Sequence, residues 1–173
     1  DYRTVLPEAM GNAAMDAAER FPHKRLIVHF MQPHTPYLER ESVFPDDHGV
    51  TKRVLDESPE ELRTMIRAVG HETVWKAYRH TLEVALDDVF RVVRELNGKT
   101  VVSADHGELF GDRVPPLYTK LYGHKTGVRY PSLVRVPWAV SNGDRRRIRD
   151  DGVSATDSDT DKIESQLEAL GYK

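Results

Sequence analysis

Apolar residues recur along this chain with two different periods, and the periods divide it into helices and strands. From Pro7 to Arg20, Ala9, Met10, Ala13, Ala14, Ala17 and Ala18 supply apolar turns at helical spacing. Pro7 stands in the first turn, and Phe21 and Pro22 form the stop. Residues 25–31, RLIVHFM, switch to the two-residue period. Leu26, Val28 and Phe30 share one face, and Ile27, His29 and Met31 the other, which predicts an inner strand of a sheet covered on both sides. Residues 32–49 carry three prolines, two histidines and no period, and are expected to form a long loop.

Ser58, Pro59 and Glu61 make a capping box that opens a helix closed by Gly70. A longer helix is predicted from Glu72 to Leu96. Val74, Tyr78, Leu82, Ala85, Leu86, Val89, Val93 and Leu96 lie along one stripe of it, and Asn97 and Gly98 end it. TVVSA, residues 100–104, begins the next strand at once. Strand, helices and strand in this order predict a βαβ unit, with two parallel strands joined by a right-handed crossover. YPSLVRVPWAV, residues 130–140, adds a third strand interrupted at Pro137.

Beyond Val140 the chain turns polar and rich in Gly, Ser and Asp, predicting a flexible linker over 141–160. Residues 161–173 read as a short helix that docks back on the body: Asp161 and Glu164 open it, Ile163, Leu167 and Leu170 form its stripe, and Gly171 stops it. The expected fold is therefore α/β, a largely parallel sheet flanked by helices, formed by residues 1–140. No internal repeat is present.

A length of 173 residues, with 39% hydrophobic and 31% charged residues, suits one domain with a sizeable core. The formal net charge of −3 and the lack of a long basic run argue against a nucleic-acid binder. Arg145, Arg146, Arg147 and Arg149 are followed at once by Asp150 and Asp151, and read as a solvated patch. With no cysteine, disulfides and thiolate metal sites are excluded, so any metal must use His and carboxylate. No stretch approaches the roughly 20 apolar residues of a membrane span, and nothing at the start resembles a signal peptide. The compartment stays open, leaning to the cytoplasm. The chain starts at Asp1 without an initiator Met, as expected of a processed chain or a fragment.

In open parallel sheets, ligands bind beyond the carboxyl ends of the strands. The loops after 25–31 and after 100–104 both leave such ends, and YTKLYGHKTG, a polar stretch over 118–127, brings a further histidine. One edge is thus expected to gather His34, Asp105, His106 and His124. A divalent ion takes carboxylate oxygens and neutral imidazoles at about 2.0–2.2 Å. Gly107 is expected to turn the backbone sharply, and Glu108 to orient a ligand imidazole from behind. The competing reading is a polar loop that merely caps a βα unit. His29 is expected as a core histidine, His71 and His80 as surface or packing residues, and His23 and His48 as loop histidines. Tyr37, Tyr118 and Tyr122 are expected to pack.

HFMQPHTPY, VVSADHGELFGD, YGHKTG and LVRVPW occur in the order and approximate spacing of the sulfatase branch of the alkaline phosphatase superfamily. The chain most resembles short archaeal sulfatase-like proteins, over roughly residues 20–140 and the last dozen. The resemblance implies an alkaline-phosphatase-like sheet and metal-assisted hydrolysis of a phosphate or sulfate ester. It makes Asp105, His106 and His124 metal ligands, and gives His34 contact with the transferred or leaving group. It lets Lys125, or less readily Lys120, neutralise a non-bridging oxygen. Asp-His-His sets take Zn²⁺ or Mn²⁺, whereas the branch often uses Ca²⁺ or Mg²⁺.

One departure from the family pattern matters. In the family a Ser, Thr or modified Cys nucleophile follows a first core strand, and nothing upstream of Leu26 supplies that strand. The chain thus reads as the C-terminal part of such a domain, apparently lacking its first strand, and whether it acts as an enzyme is open. A non-catalytic metal- or anion-binding relative and a structural α/β module are the alternatives. A sheet cut short in this way would expose an edge, so self-association or pairing with a missing N-terminal segment is expected.

Overall fold

The computed structural model describes residues 4–38, 62–150 and 163–165. The expected capping box at Ser58, most of the 32–49 loop, His48 and nearly all of the C-terminal helix lie outside these residues.

Helix α1 (Pro7–Arg20) begins where Pro7 sets the helical φ and Glu8 meets the positive end of the helix dipole. It ends with Phe21 N–H donating to the Ala17 carbonyl. Its buried face is Pro7, Gly11 and Ala14, small residues at helical spacing, so its backbone comes close to helix α3 (His71–Glu95). Ala9 and Ala13, expected in the apolar turns, are exposed. A side chain at Gly11 would collide with the Arg91 guanidinium. That guanidinium instead ties the two helices by donating to the Asn12 side-chain carbonyl at 3.1 Å, while pairing with Asp88 at 2.9 Å.

Helix α2 (Leu62–Val69) is separated from α3 by Gly70, whose φ of +88° only glycine adopts without strain. Leu62 and Met65 of α2, Val74 and Ala77 of α3, and Tyr37 from the loop make the hydrophobic core. The buried stripe of α3 is Val74, Ala77, Thr81, Ala85 and Val92. Of the predicted stripe, Tyr78, Leu82, Leu86, Val89 and Val93 are only half-buried and floor an open cleft. Among the described residues, no helix is long and apolar enough to cross a membrane.

The sheets depart from the sequence-based expectation. Among the described residues, no large, largely parallel sheet is formed; there are two antiparallel two-stranded sheets. Strand β1 (Thr100–Ser103) pairs antiparallel with β4 (Trp138–Ser141), Thr100 opposite Ser141 and Ser103 opposite Trp138. Strands β2 (Leu109–Val114) and β3 (Thr119–Gly123) form a separate antiparallel hairpin with a bulge at Gly111. The polar stretch over 118–127 thus supplies one strand of a hairpin. The third strand itself starts later than predicted. Pro131 opens a single helical turn, α4 (Pro131–Val134), and Pro137, lacking an N–H, precedes β4.

Residues 25–31 belong to neither sheet. Their exposure alternates as in a strand: Leu26, Val28 and Phe30 are half-buried, His29 is exposed rather than packed in the core, and Ile27 is 97% exposed. A two-faced apolar pattern suits an inner strand, but a strand also needs hydrogen-bonded neighbours, and here a cleft of about 2400 Å³ separates 25–31 from β1. The two segments run in the same sense. Their starts meet at Arg146, which donates to the Pro22 carbonyl at 2.8 Å and whose stem a side chain at Gly98 would touch at 2.9 Å. Their ends meet at a cluster of histidines.

Thr81 links core and loop: fully buried, its hydroxyl accepts from the Leu38 N–H at 2.9 Å. Thr81→Val keeps the shape and orphans a buried donor. It is expected to cost about 1–3 kcal/mol in urea unfolding, with Thr81→Ser well below that.

Candidate functional site

The hairpin register builds the first part of the site. Leu109 lies opposite Gly123, so the residues just beyond them, Glu108 and His124, face one another. His124 Nδ1–H donates to the Glu108 carboxylate at 3.2 Å. Gly123, at φ +76°, turns the chain so that His124 leaves the strand toward the end of β1.

The loop from β1 to β2 carries Asp105, His106 and Gly107. Asp105 Oδ1 accepts from the His106 N–H at 2.9 Å, and His106 Nδ1–H donates to the Gly107 carbonyl at 2.8 Å. Gly107 is not in the left-handed region, so a sharp turn is not why it is glycine. Its N–H donates to the Leu133 carbonyl at 2.8 Å, and a side chain there would fall on the Ser132 carbonyl. This close backbone contact clamps the loop onto α4.

His34 arrives from the loop after 25–31. Gln32, which the sequence reading passed over, anchors that loop: it is buried and donates to the Val5 carbonyl at 2.9 Å. A polar residue between an apolar run and a proline was the available signal. His34 Nδ1–H donates to the Thr35 carbonyl at 2.7 Å.

The three imidazoles form a row, with ring centroids 4.2 Å apart for His106 and His124 and 6.3 Å for His34 and His124. Each holds its Nδ1–H against an oxygen acceptor. Each neutral ring therefore presents its Nε2 lone pair, the state of a metal-ligating histidine. His106 Nε2 and Asp105 Oδ2 stand 3.7 Å apart. Two ligands of one tetrahedral ion at 2.0–2.2 Å are separated by about 3.4 Å, so this pair is near ligand spacing. Two facing acceptors favour a cation or a proton between them. Among the described residues, no group of three or more His, Asp or Glu side chains is arranged to hold a metal ion. The pair fits; a complete ligand set is not built.

Glu108 also acts on the aromatic core. Burial, the Glu108 charge and then Tyr78 push the Tyr37 phenol well above its ordinary value, and burial and Glu108 raise Tyr78 too. Lys125 is exposed and borders the cleft beside His124, whereas Lys120 lies toward the hairpin turn, opposite Arg113. His71 lies edge-on to Phe110, and His23 is hydrogen-bonded to the Arg147 carbonyl, so neither belongs to the row. Ser103, the hydroxyl nearest the pair in sequence, donates to the Pro137 carbonyl at 2.8 Å.

No family model matches this chain, and no curated protein or solved structure is similar to it at a significant level. The sulfatase-like resemblance rests on its motifs alone.

Gly107→Ala is expected to cost about 1–3 kcal/mol in chemical denaturation, because the Ser132 carbonyl must move. The tyrosines set an alkaline limit. Above the ordinary phenol value of 10.0 the unfolded chain ionises first and binds fewer protons than the folded one. Stability therefore falls as pH rises through and beyond that value. Tyr37→Phe should flatten the fall, read by urea midpoints from about pH 9 to about pH 11.

Proposed function

We propose that this chain provides the metal-binding edge of a metal-dependent hydrolase of phosphate or sulfate esters. The reading is supported above all by the Asp105 and His106 donors at near-ligand spacing, inside a row of imidazoles with their Nδ1 positions tied. Asp105 and His106, with His124 beside them, would hold a divalent ion of the Zn²⁺, Mn²⁺, Ca²⁺ or Mg²⁺ class. Such an ion, when bound, polarises an ester oxygen and stabilises developing charge. Glu108 fixes the His124 tautomer. His34, when protonated, donates to a leaving oxygen, and Lys125 offers a positive charge to the ester anion. The nucleophile comes from outside the described residues.

A second reading is a relative that binds the ion without turnover. The hydrogen bond that occupies Ser103 favours it.

Equilibrium dialysis against Zn²⁺ and Mn²⁺, with bound metal counted by mass spectrometry, tests the site. Asp105→Asn and His106→Ala are each expected to weaken binding at least tenfold, and Glu108→Gln about 10–100-fold. Unchanged binding in the Asp105→Asn, His106→Ala double variant would sink the metal site. Metal binding without hydrolysis of p-nitrophenyl phosphate or sulfate would favour the second reading.

A further inference from the structure

The two ends of the β2–β3 hairpin differ in chemistry. Its base holds Glu108 and His124, whereas its tip, between Val114 and Thr119, is Pro115, Pro116, Leu117 and Tyr118. All four tip residues are exposed, Leu117 to 80% and Tyr118, which was expected to pack, to 60%. Tyr118 also has a φ of +51°, in the left-handed region that glycine or asparagine occupies more easily. The turn therefore carries backbone strain while it keeps an aromatic ring at its outermost point. Just below the tip, Arg113 stands directly opposite Lys120, and both are exposed. Like charges facing each other across two strands repel. Among the described residues no carboxylate pairs with either, and the sequence has no Asp or Glu from Arg113 to Arg129. Arg113 instead donates to the Tyr118 carbonyl at 3.2 Å, which brings its guanidinium up to the turn.

We infer that this tip docks on an anionic lipid bilayer, with Leu117 and Tyr118 entering the headgroup boundary and Arg113 and Lys120 meeting the lipid phosphates. An apolar insertion and a basic collar are each weak alone, and together they give reversible attachment. Tyrosine suits the boundary because its ring is apolar and its hydroxyl stays hydrated. The backbone favours a bilayer over an acid-rimmed pocket on another protein. Lipid offers few partners for peptide groups that leave water, so a tip that enters it gains from having few to satisfy. Pro115 and Pro116 carry no N–H, and the Tyr118 carbonyl already accepts from Arg113. The formal net charge of −3 opposes general adsorption to an anionic surface, so attachment depends on this local arrangement.

The probe is a sucrose-loaded vesicle of phosphatidylcholine and phosphatidylglycerol in a two-to-one ratio, sedimented with the full chain at low salt. Saturable binding is expected, at least about tenfold weaker to phosphatidylcholine alone and falling as salt is added. Arg113→Gln and Lys120→Gln together should weaken it at least about tenfold, near fivefold for each charge removed. Leu117→Ser with Tyr118→Gly should weaken it at least about tenfold as well. Tyr118→Gly alone relieves the strained turn, so its urea midpoint should hold or rise while its vesicle binding falls, a split that a structural role for the ring does not produce. No binding to the anionic vesicles would overturn the inference. So would equal binding to the neutral ones, or full binding by the Leu117→Ser, Tyr118→Gly variant, which would reduce the attraction to diffuse charge. Asp105→Asn should leave vesicle binding unchanged, so failure of the metal site and failure of the tip are separable.

Discussion

The narrowness of the buried stripe on α3 governs the rest of the molecule. Ala77, Thr81 and Ala85 keep that face shallow, so the helix accepts close neighbours along its length. Gly11 and Ala14 bring α1 against its C-terminal half, while Tyr37 and Leu38 reach its N-terminal half through the core and the Thr81 hydroxyl. Larger side chains would add buried area and forbid that approach. Because the 32–38 loop is held there, His34 has a fixed place from which to meet the hairpin.

The histidine row depends on backbone more than on side-chain packing. Each imidazole is oriented by an oxygen close by in chain or register: Thr35, Gly107 and, across the hairpin, Glu108. Glu108 has competing demands. Its negative charge suits a cationic or metal-bound His124 and disfavours ionisation of Tyr37 and Tyr78 on its other side. A carboxylate in that position keeps the aromatic core neutral while leaving the polar edge ready for positive charge.

What could be read from the sequence follows what periodicity measures. Helical spacing, Pro7, Phe21 and Asn97 locate α1 and α3 to within a residue, because those signals are local. The apolar pattern of 25–31 reports that both faces can be buried; it says nothing about whether strands flank its edges, and here none does among the described residues. Pairing in parallel was inferred from element order, and element order does not reveal a gap. The β2–β3 hairpin is not legible because the bulge at Gly111 breaks its alternation and its turn holds Pro115 and Pro116 rather than Asn-Gly. His34, Asp105, His106 and His124 do come together, but through the hairpin register and the loop after 25–31 rather than at the carboxyl ends of a parallel sheet. The clamp at Gly107 and the anchor at Gln32 were not legible, since each depends on a partner far away in the chain.

The hairpin register has a consequence for how this protein can vary. Glu108 and His124 meet at the open base of β2 and β3, while the turn at 115–118 is remote from them and exposed. Residues can be added at that tip in any number without altering which side chains meet at the base. Losing one residue from within either strand instead exchanges the faces of every position beyond it and parts the acid from the imidazole. The tip is thus a place where a lineage can experiment, and the strands are where it must count.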